Sequence, residues 1–117
     1  AQAGSGRRSG LFTDLTLGLW DDGELVPFAK AYSGLSDREF TRLGRWVRAH
    51  TTERFGPVRA VPPAQVFELA FEGIWRNPRR KSGLGVRFPR IVRWREDKPA
   101  SEADTLASAW ALLEEGA

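Results

Sequence analysis

Cysteine is absent from this 117-residue chain, and histidine occurs once, at His50. Disulfides, thiolate nucleophiles and cysteine zinc sites are therefore excluded, and a metal site built on histidine lacks ligands. No Ser/His/Asp or Cys/His set can be built, and His50 reads as a helix-end residue. Long apolar runs are also missing: nothing approaches the ~20 residues needed to cross a bilayer. Residues 1–10 are polar and glycine-rich, without the apolar stretch of a secretory leader. Lysine is scarce, occurring only at Lys30, Lys81 and Lys98, so arginine supplies most of the positive charge. These absences point to a cytoplasmic protein of one domain with no membrane partner.

What the sequence does hold is positive charge gathered in one place. Residues 76–98 carry nine bases and two acids, a net of +7, whereas the rest carries nine bases and thirteen acids, a net of −4. One cationic pole on a chain of net charge +3 is the footprint of a nucleotide or nucleic-acid partner. Within it, Arg87, Arg90, Arg93, Arg95 and Lys98 surround an apolar strand that ends in Arg95-Glu96-Asp97-Lys98. A buried strand has no use for so many cations, but a site handling polyphosphate does. Ahead of it runs Arg76-Asn77-Pro78-Arg79-Arg80-Lys81-Ser82-Gly83, read as a mobile basic loop able to meet regularly spaced phosphates without reading sequence. Arg38, Arg42, Arg45 and Arg48 recur at helical spacing and read as a solvated face.

Periodicity supplies a frame for these groups. Residues 11–20 alternate as a strand, Asp21-Asp22-Gly23-Glu24 makes a tight turn, and residues 25–32 return. Pro27 cannot donate to a ladder, so an edge or a bulge is expected there. Ser36 and Glu39 form a capping box, opening a helix whose Phe40, Leu43, Val47 and His50 should face the core. Further strands are expected at 58–61, 66–75 and 86–95, and a terminal helix capped by Ser101 should bury Leu106, Ala109, Trp110 and Leu113. Five strands with one inserted helix and a C-terminal helix give a mainly β fold, a small, partly open barrel over residues 10–117 for which a five-stranded OB-fold is the natural choice and a different small barrel of similar strand spacing the main rival. Residues 1–9 read as a linker. Trp20, Trp75, Phe88 and Trp94 could stack on bases, as a free-standing module for single-stranded nucleic acid would use them, but aromatics in strands are more often core.

Arg87-Phe88-Pro89-Arg90-Ile91 followed by Arg93-Trp94-Arg95-Glu96-Asp97-Lys98 resembles nucleotidyltransferase motif VI of ATP-dependent DNA ligases. The likeness extends from about Gly10 to Thr105 and implies the OB domain of such an enzyme, from bacteria and associated with the nucleoid. RNA ligases and capping guanylyltransferases share motif VI, but the Arg-Phe-Pro-Arg lead-in favours the DNA enzymes. By this resemblance Arg95, Asp97 and Lys98 are the catalytic residues. Arg93, Arg95 and Lys98 bind the nucleotide, and Asp97 orients its neighbours or helps hold magnesium through water. Lys30, Arg76, Arg79, Arg80, Lys81, Arg87 and Arg90 are the expected DNA-binding residues. ATP and Mg2+ are the implied cofactors, both held mainly by a nucleotidyltransferase domain elsewhere in the ligase, and no metal site is expected on this chain. The lysine nucleophile of such enzymes sits in Lys-x-Asp-Gly. The three lysines here open Lys30-Ala, Lys81-Ser and Lys98-Pro, so the chain should be inactive alone. Nicked duplex DNA is the implied partner, engaged by a monomer.

Overall fold

The computed structural model describes residues 1–3, 12–31 and 34–115. They form nine short strands and two helices: β1 (Gln2–Ala3), β2 (Phe12–Asp21), β3 (Glu24–Ala31), α1 (Asp37–His50), β4 (Glu53–Phe55), β5 (Val58–Ala60), β6 (Phe67–Ala70), β7 (Gly73–Arg76), β8 (Leu84–Arg87), β9 (Arg90–Trp94) and α2 (Leu106–Glu115). The strands pair as a five-stranded sheet in the order β3-β2-β1-β5-β4 and two separate pairs, β6-β9 and β7-β8. Among the described residues no continuous ladder closes a barrel. The expected linker begins inside the sheet, because Gln2–Ala3 pairs with both β2 and β5, and its remainder lies outside the described residues.

The β2-β3 hairpin forms as its turn chemistry dictates. Asp22 and Gly23 both adopt positive φ, at 51° and 82°, which matches the twist of the flanking strands. The register then slips between Leu17 and Gly18, where Gly18 faces Pro27 and Phe28 is left over as the bulge that the proline required. Helix α1 opens with the reciprocal Ser36–Glu39 box and buries Phe40, Leu43 and Val47. His50 departs from expectation. It lies exposed, stacked on Trp46 with centroids 4.7 Å apart, because the apolar stripe has ended by the last turn.

Two of the long expected strands are each broken. Residues 66–75 split into β6 and β7 around Phe71-Glu72, and residues 86–95 split into β8 and β9 at Phe88-Pro89. Phe88 takes φ 53°, unusual for a bulky residue, and Pro89 cannot donate to a ladder, so the chain turns a corner there. The result is one long antiparallel excursion whose distal half is β7-β8 and whose proximal half is β6-β9. β4 was not anticipated, and its three residues are all exposed. The terminal helix starts later than Ser101, which lies in a single 3-10 turn. Thr105 and Ser108 instead satisfy one another's backbone and hydroxyl groups at the start of α2.

Burial falls into two clusters. Phe12, Leu15, Ala31, Leu35, Phe40, Leu43, Val47, Ile91 and Trp94 pack under α1. Phe28, Ala29, Leu84 and Ala109 pack beneath α2 with Leu106, Trp110 and Leu113 around them. Leu69 joins both, so the two clusters meet at β6.

Candidate phosphate and nucleic-acid interface

The Arg95–Lys98 turn is fixed by what precedes it. In β9 the register slips opposite Glu68/Leu69, so Val92 is bulged and Ile91 and Trp94 both point inward. Trp94 stacks on Phe67 with centroids 5.8 Å apart, and its indole N–H donates to Gln65 Oε1 at 3.1 Å. Arg95 continues the ladder by donating its backbone N–H to Val66 at 2.8 Å, after which the Lys98 N–H returns to the Arg95 carbonyl at 3.2 Å. The turn is therefore tied to the buried Val66 at its start and closed on itself by the Lys98–Arg95 bond.

Inside it, Arg95 Nε and Nη2 donate to the two oxygens of Asp97 at 3.1 and 3.0 Å. These charge-assisted bonds pull the Asp97 carboxyl down to about 2 and raise Arg95 above its ordinary value. The planar guanidinium is held by its Nε edge, which leaves Nη1 and one hydrogen of Nη2 facing away from Asp97. Arg95 and Lys98 both border a largely apolar cleft of about 580 Å³ that also meets Leu17, Trp20 and Phe67. Arg93 is exposed, across the ladder from Glu68. Arg42 of α1, not singled out in the sequence, ion-pairs with Glu96 and lies 5.0 Å from the Trp94 ring centroid. It ties the helix to the turn, and nothing in its helical spacing distinguishes it from Arg38, Arg45 or Arg48.

The second group forms on the β7-β8 hairpin. Its connection, residues 77–83, is internally hydrogen-bonded, and Arg76 belongs to the strand. Asn77 donates to the Gly83 carbonyl at 2.8 Å, Gly83 to Arg80 at 2.9 Å, and Asn77 Oδ1 accepts from the Arg79 N–H at 3.2 Å. Arg79, Arg80 and Lys81 stand exposed on this tip, with Lys81 3.9 Å from Glu24. Arg87 ends β8 and lies 5.0 Å from the ring centroid of Phe88, which is 61% exposed at the corner. Arg90 opens β9 within 4.0 Å of Glu72. Lys30 lies apart, on the five-stranded sheet, donating to Gln2 Oε1 at 2.7 Å. Of the aromatic candidates, Trp94 is core, and Trp20 donates its indole N–H to the Ala100 carbonyl at 2.7 Å. Trp75 is half exposed and covers Gly85, so Phe88 is the most exposed of the four.

The described residues thus form a small β-rich module with one hydrogen-bonded arginine turn and one basic hairpin. Residues 8–98 match the family model for the C-terminal region of ATP-dependent DNA ligases. The chain is 44% identical to a "Probable DNA ligase" of Koribacter versatilis, over 92% of this chain and 19% of that protein. It is 41% identical to a "Probable DNA ligase" of Kineococcus radiotolerans, over 95% of this chain and 22% of that one. It is also 37% identical to a "DNA ligase" of Methanoculleus marisnigri, over 92% and 20%. The chain belongs to the ATP-dependent DNA ligase C-terminal family, and it spans about a fifth of the length of these relatives. No helix among the described residues is long and apolar enough to cross a membrane.

Proposed function

We propose that this chain is the OB-type domain of an ATP-dependent DNA ligase, an open barrel built from β2, β3, the β6-β9 and β7-β8 excursion and their neighbours, and that it has two tasks. In the first, Arg95 and Lys98, with Arg93 beside them, meet the β- and γ-phosphates of ATP while a lysine in the ligase's nucleotidyltransferase domain is adenylylated. Arg95 uses its free Nη1 side as a donor fork, and Lys98 adds a compact charge. Fixed cations of this kind offset negative charge gathering on the leaving pyrophosphate, with no reorganisation needed at the moment of reaction. Asp97 acts through Arg95. Both of its oxygens accept from the guanidinium, which fixes the plane in which Arg95 presents its remaining N–H groups.

In the second task, Arg76, Arg79, Arg80, Lys81, Arg87 and Arg90 lie along the backbone of nicked duplex DNA, with Phe88 at the corner among them. Lys30 is a more distant contributor. The chain works as a monomer alongside the other domains of its ligase, in the cytoplasm. The observation that carries the reading is the Arg95–Asp97 chelate, since a guanidinium held edge-on at a family-matched position is prepared for one ligand geometry.

The test is a graft. In the Koribacter versatilis protein the matching fifth is replaced by this chain, and AMP transfer from labelled ATP to that protein is followed. Transfer should be restored by the graft and fall at least tenfold with Arg95→Ala. Full transfer without any graft, or with Arg95→Ala, would refute the first task.

A further inference from the structure

Helix α2 lies beyond residue 98, the last position of the family match, yet it closes on the basic hairpin. Trp110 makes three contacts there. Its indole N–H donates to the Ser82 carbonyl at 3.2 Å. Its ring fills the space beside Gly83, where a Cβ would stand 2.8 Å from ring carbon Cζ2. Its centroid lies 5.6 Å from the Arg76 guanidinium carbon. Gly83 holds φ 76°, and Ser82 is 3% exposed with its hydroxyl bonded to both the N–H and the carbonyl of Leu84. The root of the tip is thus buried against one side chain while Arg79, Arg80 and Lys81 remain in solvent.

We propose that Trp110 is a positioning residue for nucleic-acid binding: it holds the hairpin so that its three exposed cations meet duplex phosphates already arranged. The inference rests on the reading of this hairpin as DNA-facing. A tip ordered in advance avoids losing backbone freedom on binding, and recovering the freedom of about one residue corresponds to roughly tenfold in affinity.

The test is a double-mutant cycle on this chain, with binding to nicked duplex measured at fixed salt. The arms are Trp110→Ala, the triple change Arg79→Gln/Arg80→Gln/Lys81→Gln, and their combination. Hydrogen exchange of the Asn77 and Gly83 amides is read alongside. Trp110→Ala should weaken binding about tenfold and speed both amides, and should add nothing in the triple background. Trp110→Phe, which keeps a ring against Gly83, should recover most of the loss. If Trp110→Ala does not fold, Trp110→Leu retains apolar bulk over the second cluster and replaces it. A triple variant that loses affinity while the Trp110 change does nothing, or acts additively, would overturn the positioning role and leave the DNA reading standing. A triple variant that binds like the parent would remove the DNA reading, and the positioning role with it.

Discussion

Neutralising the hairpin tip tests the electrostatics most directly. Arg79, Arg80 and Lys81 are exposed, and the one ion pair seen among them joins Lys81 to Glu24 at 3.9 Å, with both side chains more than two-thirds exposed. Such a pair is worth ~0–1 kcal/mol, so changing all three to glutamine should leave the fold intact. If each contacts a phosphate, each releases bound counterion, and the slope of log Kobs against log salt should become shallower by about 0.9 per residue, or ~2.7 in all. Between 50 and 200 mM salt the parent should therefore lose about 40-fold more affinity than the variant. The assay is a salt titration of binding to a nicked duplex, with thermal melting to confirm folding. Glu24→Gln supplies an internal check: it frees Lys81 from its partner and should raise affinity slightly. An unchanged slope in the triple variant would show that the tip is only solvated charge.

Three other outcomes follow from the geometry. In the grafted ligase, Lys98→Ala should slow self-adenylylation more than it slows sealing of pre-adenylated nicks, and equal losses in both steps would remove a nucleotide-specific role. The Asp97 carboxyl should titrate near 2 by carbon NMR, and Arg95→Gln should return it toward 3.8. Since the folded value is depressed, the stabilisation from this pair is present above about pH 4 and disappears as pH falls through 2; a midpoint near 3.8 in the parent would mean the chelate does not form. Phe40→Ala, at a position 1% exposed, should cost ~3–5 kcal/mol by urea unfolding, while Phe55→Ala, on an exposed hairpin end, should cost under ~0.5.

How far the sequence could be read depended on the kind of signal. Local chemistry carried well. The Asp22-Gly23 turn, the Ser36–Glu39 box and the bulge at Pro27 are each set by a few adjacent residues, and each is found where its chemistry calls for it. Alternation carried less well: residues 66–75 and 86–95 read as single strands, but the corner at Phe88-Pro89 and the break at Phe71-Glu72 hand each half a different partner. The motif residues Arg95, Asp97 and Lys98 share one turn, as their spacing required. Contacts between remote segments left no trace in spacing. Arg42 reaching Glu96, and Trp110 closing on Ser82, each join residues more than 25 positions apart. The basic loop read as mobile for the same reason, since its anchor lies on a helix that follows it in the chain.

The bulge in β3 also bears on how copies of this molecule behave at high concentration. β3 is one of the two edge strands of the five-stranded sheet, the kind of ribbon that recruits identical ribbons into aggregates. The extra residue Phe28 beside Pro27 breaks the pleat of that ribbon, and Lys30 adds a charge two positions on. A residue pattern that looks like a flaw in a hairpin thereby works as a guard against stacking.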